Sequence, residues 1–349
     1  MQPTWKDKVT NTAQLGGIET SVLDNGPGRG TRIAWMNTGT GLRYKVVLDR
    51  GMDIADAFFQ EHSLSWLSHV GITSPQPFSD QGADWLRTFG GGLLTTCGLD
   101  HVGGPEKDAF GERGLHGQIS NTPAEIISIL QPDPMHGNME MSITGRMKQT
   151  RVFGPSLELK RTISGTLGQP TIRIHDEVVN RGNTAAPHML LYHCNFGWPM
   201  ADEGADIVWN GAWQTPGDKP EIFREGNNFR KCPPPMDSHN SNGEEVAFID
   251  VEADNKGICT CGIHNQQLGI AVALRFSKAQ FPWLTNWQHW GKGEYVTGIE
   301  PGTHPPIGQA KARESDTLIH LAPGESRQYD FVVEILDNQA AISNFLHTT

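Results

Sequence analysis

The chain has 349 residues, a formal charge of −11 and an isoelectric point near 5.7, a balance that argues against nucleic acid or an anionic membrane surface as a partner. No apolar run is long enough to span a bilayer. The polar start at Met1 lacks the apolar core of a signal peptide, and five cysteines without a disulfide-like framework point to reduced thiols and a cytoplasmic protein. Forty glycines and twenty-two prolines call for tight turns and short strands rather than long helices. The length is within reach of one large β-sandwich, so a single domain is expected over residues 1–349.

Short strands are expected over 31–36 and 44–48, and a hairpin whose arms are 52–60 and 64–67. The glycine-rich stretch 25–30 lacks a following helix pattern and a terminal Lys-Ser/Thr, so it reads as a loop and not a phosphate cradle. Residues 72–123 are the least strand-like part. Ser79 is placed to cap a short helix ending near Arg87, and a long glycine-rich loop follows, of the kind that is usually functional. His116 lies in it between Leu115 and Gly117, where backbone can come close to a ligand. Alternation returns over 139–145 and 157–163, consistent with antiparallel strands having one wet face.

Residues 171–180 form an alternating strand, 181–183 a turn, and 190–199 a second strand ending in a turn. On it His193 and Asn195 share one face, while Tyr192, Cys194 and Phe196 take the other. Residues 200–245 are loop-rich but carry strand-like pieces such as 205–209. Further strands are expected over 269–276, 285–290, 295–301, 316–321 and 328–335, with a short helix over 337–347. Glu300 ends its strand before Pro301, which keeps it extended. Gly298, two residues back on the same face, leaves space beside the carboxylate for something else to approach. Fourteen histidines show no His-x-His or His-Glu-x-x-His spacing, and His188 and His193, five apart, face opposite sides of a regular strand. Cys259 and Cys261 read as two thiols on one strand face. No metal is expected.

These segments resemble the aldose 1-epimerase (galactose mutarotase) family, whose members carry a strand ending in Val-x-Asn, a polar loop and a strand ending in His-x-Tyr-Phe-Asn. Here Val178 to Asn180 and His193 to Gly197 take those places, with Asn195 at the Tyr position and Gly197 at the final Asn position. Leu115-His116-Gly117 and Gly298-Ile299-Glu300-Pro301 fall in the family order, so the resemblance spans the chain. The stretch from Leu48 to Asp53, Leu-Asp-Arg-Gly-Met-Asp, resembles an aldose-1-epimerase-like branch of it. The resemblance implies an all-β fold, a large antiparallel two-sheet sandwich with few short helices. It implies catalytic roles for His193 and Glu300 and substrate contacts from His116. The family's arginine upstream of that histidine is matched to Arg87, although the family's Asn-Arg dipeptide is absent. Its hydroxyl-binding aspartate is matched to Asp237, in a motif that does not agree. Trp198, Trp287 and Trp290 lie near these elements and suit the core; Trp287, which shares a strand face with His289, is the candidate platform for a pyranose.

The expected chemistry is anomer interconversion of a monosaccharide, with Glu300 as base, protonated His193 as acid, and no cofactor. The competing readings are a sugar-binding protein without turnover, and an epimerase or lyase acting on a keto sugar at the same site. A hexose phosphate would require clustered arginines, whereas Arg50, Arg87 and Arg113 are scattered.

Overall fold

The computed structural model describes residues 5–76, 81–217 and 220–348; the expected Ser79 cap lies outside them. An eight-stranded antiparallel sheet runs in the order Asp206–Val208, Ile258–Asn265, Ile270–Ser277, Ser326–Leu336, Thr171–Asn180, Ser156–Thr166, Glu140–Thr150 and Glu125–Leu130. A second sheet runs Gly211–Gln214, Glu245–Val251, Trp283–Gly291, Glu294–Gly302, Ala186–Gly197 and Ile319–Leu321, with Thr95–Leu99 also paired to Ala186–Gly197. A five-stranded meander over Gly17–Val22, Arg32–Asn37, Leu42–Val47, Asp53–Phe59 and His62–Ser63 adds a third antiparallel layer. Period-two alternation explains the packing: Tyr329, Phe331, Val333 and Ile335 turn inward from one sheet, Tyr192, Cys194 and Phe196 from the other. All seven join one apolar cluster with Tyr44 and Ile54 of the meander. This is a large antiparallel β-sandwich with two α-helices among the described residues, Gly308–Glu314 and Gln339–Thr348. Neither is long and apolar enough to cross a membrane.

Three expectations change. The hairpin after residue 52 closes sooner, with His62–Ser63 as its return arm. The segment 72–123 holds a strand, Thr95–Leu99, all five of whose residues are buried. A strand covered on both faces shows no alternation, and so gives no periodic signal. The helix expected to end at Arg87 is a short 3-10 turn, Asp84–Arg87.

A buried charge network ties the layers together beneath the strand that carries His193. Arg161, fully buried, donates to Asp176 at 2.7 Å and 2.9 Å and to Asp53 at 3.1 Å. Tyr192 donates its hydroxyl to Asp176 at 2.5 Å, and Thr96 donates to Asp53 at 2.6 Å. Gly51 and Met52 take positive φ, 61° and 54°, in a tight turn whose Gly51 carbonyl accepts from Arg161. The Leu48–Asp53 motif is therefore a structural anchor: Asp49 pairs with Arg32 at 2.6 Å, and Arg50 donates to the carbonyls of Ser120 and Thr88.

Candidate active site

Strand register assembles the site. Asn195 pairs with Gly298 and Cys194 with Ile299, and the same register carried one step further sets His193 opposite Glu300. Glu300 pairs on its other side with Thr285, and His193 with Thr95. A row of four polar side chains, Thr285, Glu300, His193 and Thr95, thus crosses four strands on one face. His193 Nε2 lies 3.2 Å from Glu300 Oε1, and both residues are buried, with Glu300 only 2% exposed.

Aromatic rings wall the pair. Phe89 and Trp287 lie 5.2 Å and 5.3 Å from the His193 ring, Trp85 stands 6.2 Å away, and His116 meets it edge-on at 6.1 Å. Trp85 stacks on Phe89 at 4.2 Å, and Trp66 bridges Phe89 and Trp287. Trp85 is fixed by donating its indole N–H to Ser120. His116 occupies a left-handed turn, φ 56°, followed by Gly117 at φ 72°; a Cβ on Gly117 would overlap the Gly98 carbonyl, so only glycine lets the loop lie against that strand.

Five buried polar atoms converge here without a well-formed hydrogen bond among the described residues: His116 Nδ1, His193 Nδ1, Asn195 Oδ1, Thr285 Oγ1 and Glu300 Oε1, the last with only its 3.2 Å approach to His193. Native interiors satisfy nearly all such atoms, so a concentration of them marks a place built to receive polar groups. Electrostatics agree. Burial pulls His193 down to about 4, against a small opposing pull from Asn195. Burial, with His193 and His101 nearby, pulls His116 to about 3. Burial pushes Glu300 well above the usual carboxylate range, and the negative charge of Glu244 adds to it. Both directions favour the uncharged forms, a protonated Glu300 carboxyl beside a neutral imidazole. Burial thus works against the ionised pair expected from the sequence, because an apolar shell favours a neutral acid beside a neutral imidazole over two charges.

Of the residues singled out in the sequence, the structure brings together His116, His193, Glu300 and Trp287. Arg87 does not join them: its side chain is 84% exposed and faces Asp84 at 3.5 Å. Asp237 does not either, being exposed and paired with Lys292 at 2.8 Å. The space beside Gly298 is not vacant but taken by the Glu300 carboxyl itself. Trp290 is core, as expected, whereas Trp198 is 70% exposed. Trp66, Trp85, Phe89, Thr95, Thr285 and Glu244 carried no sequence signal beyond residue type, since each reaches the cluster only through long-range pairing. Among the described residues no group of three or more His, Cys, Asp or Glu is arranged to hold a metal ion. A separate cleft of about 370 Å³, lined by His101, Arg113, Arg151 and Arg313 among others, shares no residue with the cluster.

Comparison with known proteins agrees with this architecture. The model of a domain of unknown function, DUF4432, matches residues 28–335. Among solved structures, a protein of Klebsiella pneumoniae provisionally assigned as an aldose 1-epimerase superposes with a TM-score of 0.83 at 22% identity, over 97% of this chain and 89% of the other. A galactose 1-epimerase from Lactobacillus acidophilus gives 0.61 at 13% identity, over 92% and 99%. A galactose mutarotase-like protein from Clostridium acetobutylicum gives 0.60 at 13%, over 92% and 98%. No curated protein matches the sequence.

Proposed function

The chain belongs to the DUF4432 family, and from that premise we propose that it is a mutarotase-like isomerase that interconverts the anomers of a neutral monosaccharide. The observation that carries the reading is the His193–Glu300 pair, two buried groups 3.2 Å apart, each of which burial drives towards its neutral form. Anomerisation needs two proton transfers at oxygens attached to the same carbon, and a pair of this spacing suits that demand. The neutral His193 imidazole takes the proton of the C1 hydroxyl while the Glu300 carboxylic acid protonates the ring oxygen. The bond from C1 to the ring oxygen breaks and a C1 carbonyl forms, leaving imidazolium beside carboxylate. After rotation about the C1–C2 bond the ring hydroxyl attacks the other carbonyl face. Carboxylate recovers its proton from that hydroxyl, and imidazolium returns its own to the carbonyl oxygen. Atoms, charge and the site's proton all balance over the cycle.

His116 stands beside His193 as a neutral hydrogen-bonding group for a sugar hydroxyl, and Trp287 offers an aromatic face to a pyranose. Arg50, behind Trp85 and Phe89, is committed to the carbonyls of Ser120 and Thr88, which favours a sugar without phosphate or carboxylate. Exchange of magnetisation between anomers of a panel of reducing sugars, followed by NMR with the purified protein, tests the proposal. At least one sugar should anomerise faster with the protein, and Glu300→Gln should lower that rate by about 10²–10⁴-fold, the span typical of one acid–base group. A wild-type protein that binds a sugar and leaves its anomerisation unchanged would reduce the site to recognition alone.

A further inference from the structure

Trp287 is held from outside the cluster. Its indole N–H donates to Glu244 Oε2 at 2.6 Å, and Glu244 immediately precedes the strand Glu245–Val251, in which Val246 pairs with Trp287. Trp287 in turn pairs with Gly298. A Cβ built on Gly298 would lie 3.2 Å from Trp287 Cε3, so the benzo ring covers that glycine at the flank of the Glu300 carboxyl. Trp66 meets Trp287 edge-on at 6.2 Å and His289 stacks parallel to it at 6.1 Å; neither satisfies its indole N–H. Glu244 is exposed, yet its carboxylate turns inward to accept from this tryptophan.

We propose that Glu244 is a positioning residue: from the rim it clamps the Trp287 indole over Gly298 and sets a negative charge at the edge of the His193–Glu300 pair. The inference rests on the isomerase reading for its catalytic consequence, but not for its electrostatic one. The ionisable groups facing Glu300 are few. His193 meets it from the neighbouring strand, the buried thiols Cys97 and Cys194 lie near it on the core side, and Glu244 acts from the rim. With the histidine and both thiols neutral, Glu244 is the one formal charge in that set, and an unfavourable one for a carboxylate at Glu300.

Two variants separate the two effects. Glu244→Gln retains an oxygen to accept the indole N–H but removes the charge; Glu244→Ala removes both. Glu300 is titrated directly by carboxyl-carbon NMR of the full-length protein, its resonance identified by its loss in Glu300→Gln, alongside the pH profile of anomerisation. Glu300 should titrate at lower pH in both variants, and the alkaline limb of kcat/KM should move down with it. KM should stay near wild type in Glu244→Gln and rise about two- to tenfold in Glu244→Ala, the worth of one aromatic contact. An unmoved Glu300 titration in Glu244→Gln, or equal KM in the two variants, overturns the inference. Should wild type show no anomerisation while Glu300 still shifts in Glu244→Gln, the inference stands and the isomerase reading falls.

Discussion

Glu300 folds its carboxyl back over Gly298, two residues earlier on the same strand, so that a Cβ at position 298 would overlap Glu300 Oε1. The glycine is required by close approach rather than by backbone conformation, since its φ lies outside the left-handed range. Gly298→Ala should therefore swing the carboxyl away from His193 and leave the strand pairing intact. A displacement of about 1 Å at reacting groups can cost on the order of 10² in rate. The expected result is that loss in kcat with an unchanged circular dichroism spectrum; full activity would mean that the carboxyl acts from another position.

The pH profile follows from a pair that must hold one proton. Below about 4 the His193 ring takes up a second proton while Glu300 keeps its own, and the base is lost. Above the raised value of Glu300 the pair loses its proton, and the acid is gone. Anomerisation should be bell-shaped in pH, with an acid limb that belongs to His193 and an alkaline limb that belongs to Glu300. His193→Asn should lose most of the rate and the acid limb, which a rate-versus-pH series checks; loss of the alkaline limb instead would return the resting proton to His193.

A buried carboxyl also leaves a mark on stability. In the unfolded chain Glu300 ionises above its ordinary value of 4.5, whereas in the fold burial keeps it protonated to higher pH. Its folded value is raised, so its contribution is full below 4.5 and is lost as pH rises towards the folded value, by at most about 1.4 kcal/mol per pH unit. Glu300→Gln lacks this slope. Its Tm should exceed that of wild type by an amount that grows from pH 5 upward, in the sense of the common trade between stability and activity. A constant difference across pH would show that Glu300 is not buried as a neutral acid.

The rim residues offer a contrast. Trp287→Ala removes an aromatic wall of the His193–Glu300 pair and should weaken sugar binding by about two- to tenfold. Arg87→Ala and Asp237→Ala remove exposed side chains in surface ion pairs, which are worth roughly 0–1 kcal/mol, and should leave both kcat and KM near wild type. A large KM effect at Arg87 would bring that side chain into the sugar site after all.

The legible part of this protein was what one strand or one turn encodes. His193 and Asn195 on one face, Glu300 held extended before Pro301, and His116 in a glycine-flanked turn were all readable from local pattern, as was the alternation of the long strands. Arg87 and Asp237 were misplaced because only short-range matching supported them, and neither side chain faces the cluster. Thr95–Leu99 went unseen because a strand buried on both sides has no polar beat. The rest of the aromatic wall beside Trp287 was invisible for a different reason: Trp66, Trp85 and Phe89 reach it only through pairings between distant parts of the chain, and residue type alone does not separate a wall from a core. The pull of burial on both protonation states is not legible in the sequence, because burial is a tertiary property.

The strand Ala186–Gly197, joined at its start by Ile319–Leu321, pairs with Thr95–Leu99 from the first third of the chain and, beside His193, with Glu294–Gly302 from the last. A nascent chain released before that last strand emerges carries His193 and its aromatic cover but no carboxyl to face it. Contacts between such remote segments form late and slowly compared with local hairpins. In refolding, the far-ultraviolet sheet signal should recover ahead of the His193–Glu300 contact, and truncation before residue 294, which also removes Ser326–Leu336 from the middle of the eight-stranded sheet, should leave neither that sheet nor the anomerising site intact.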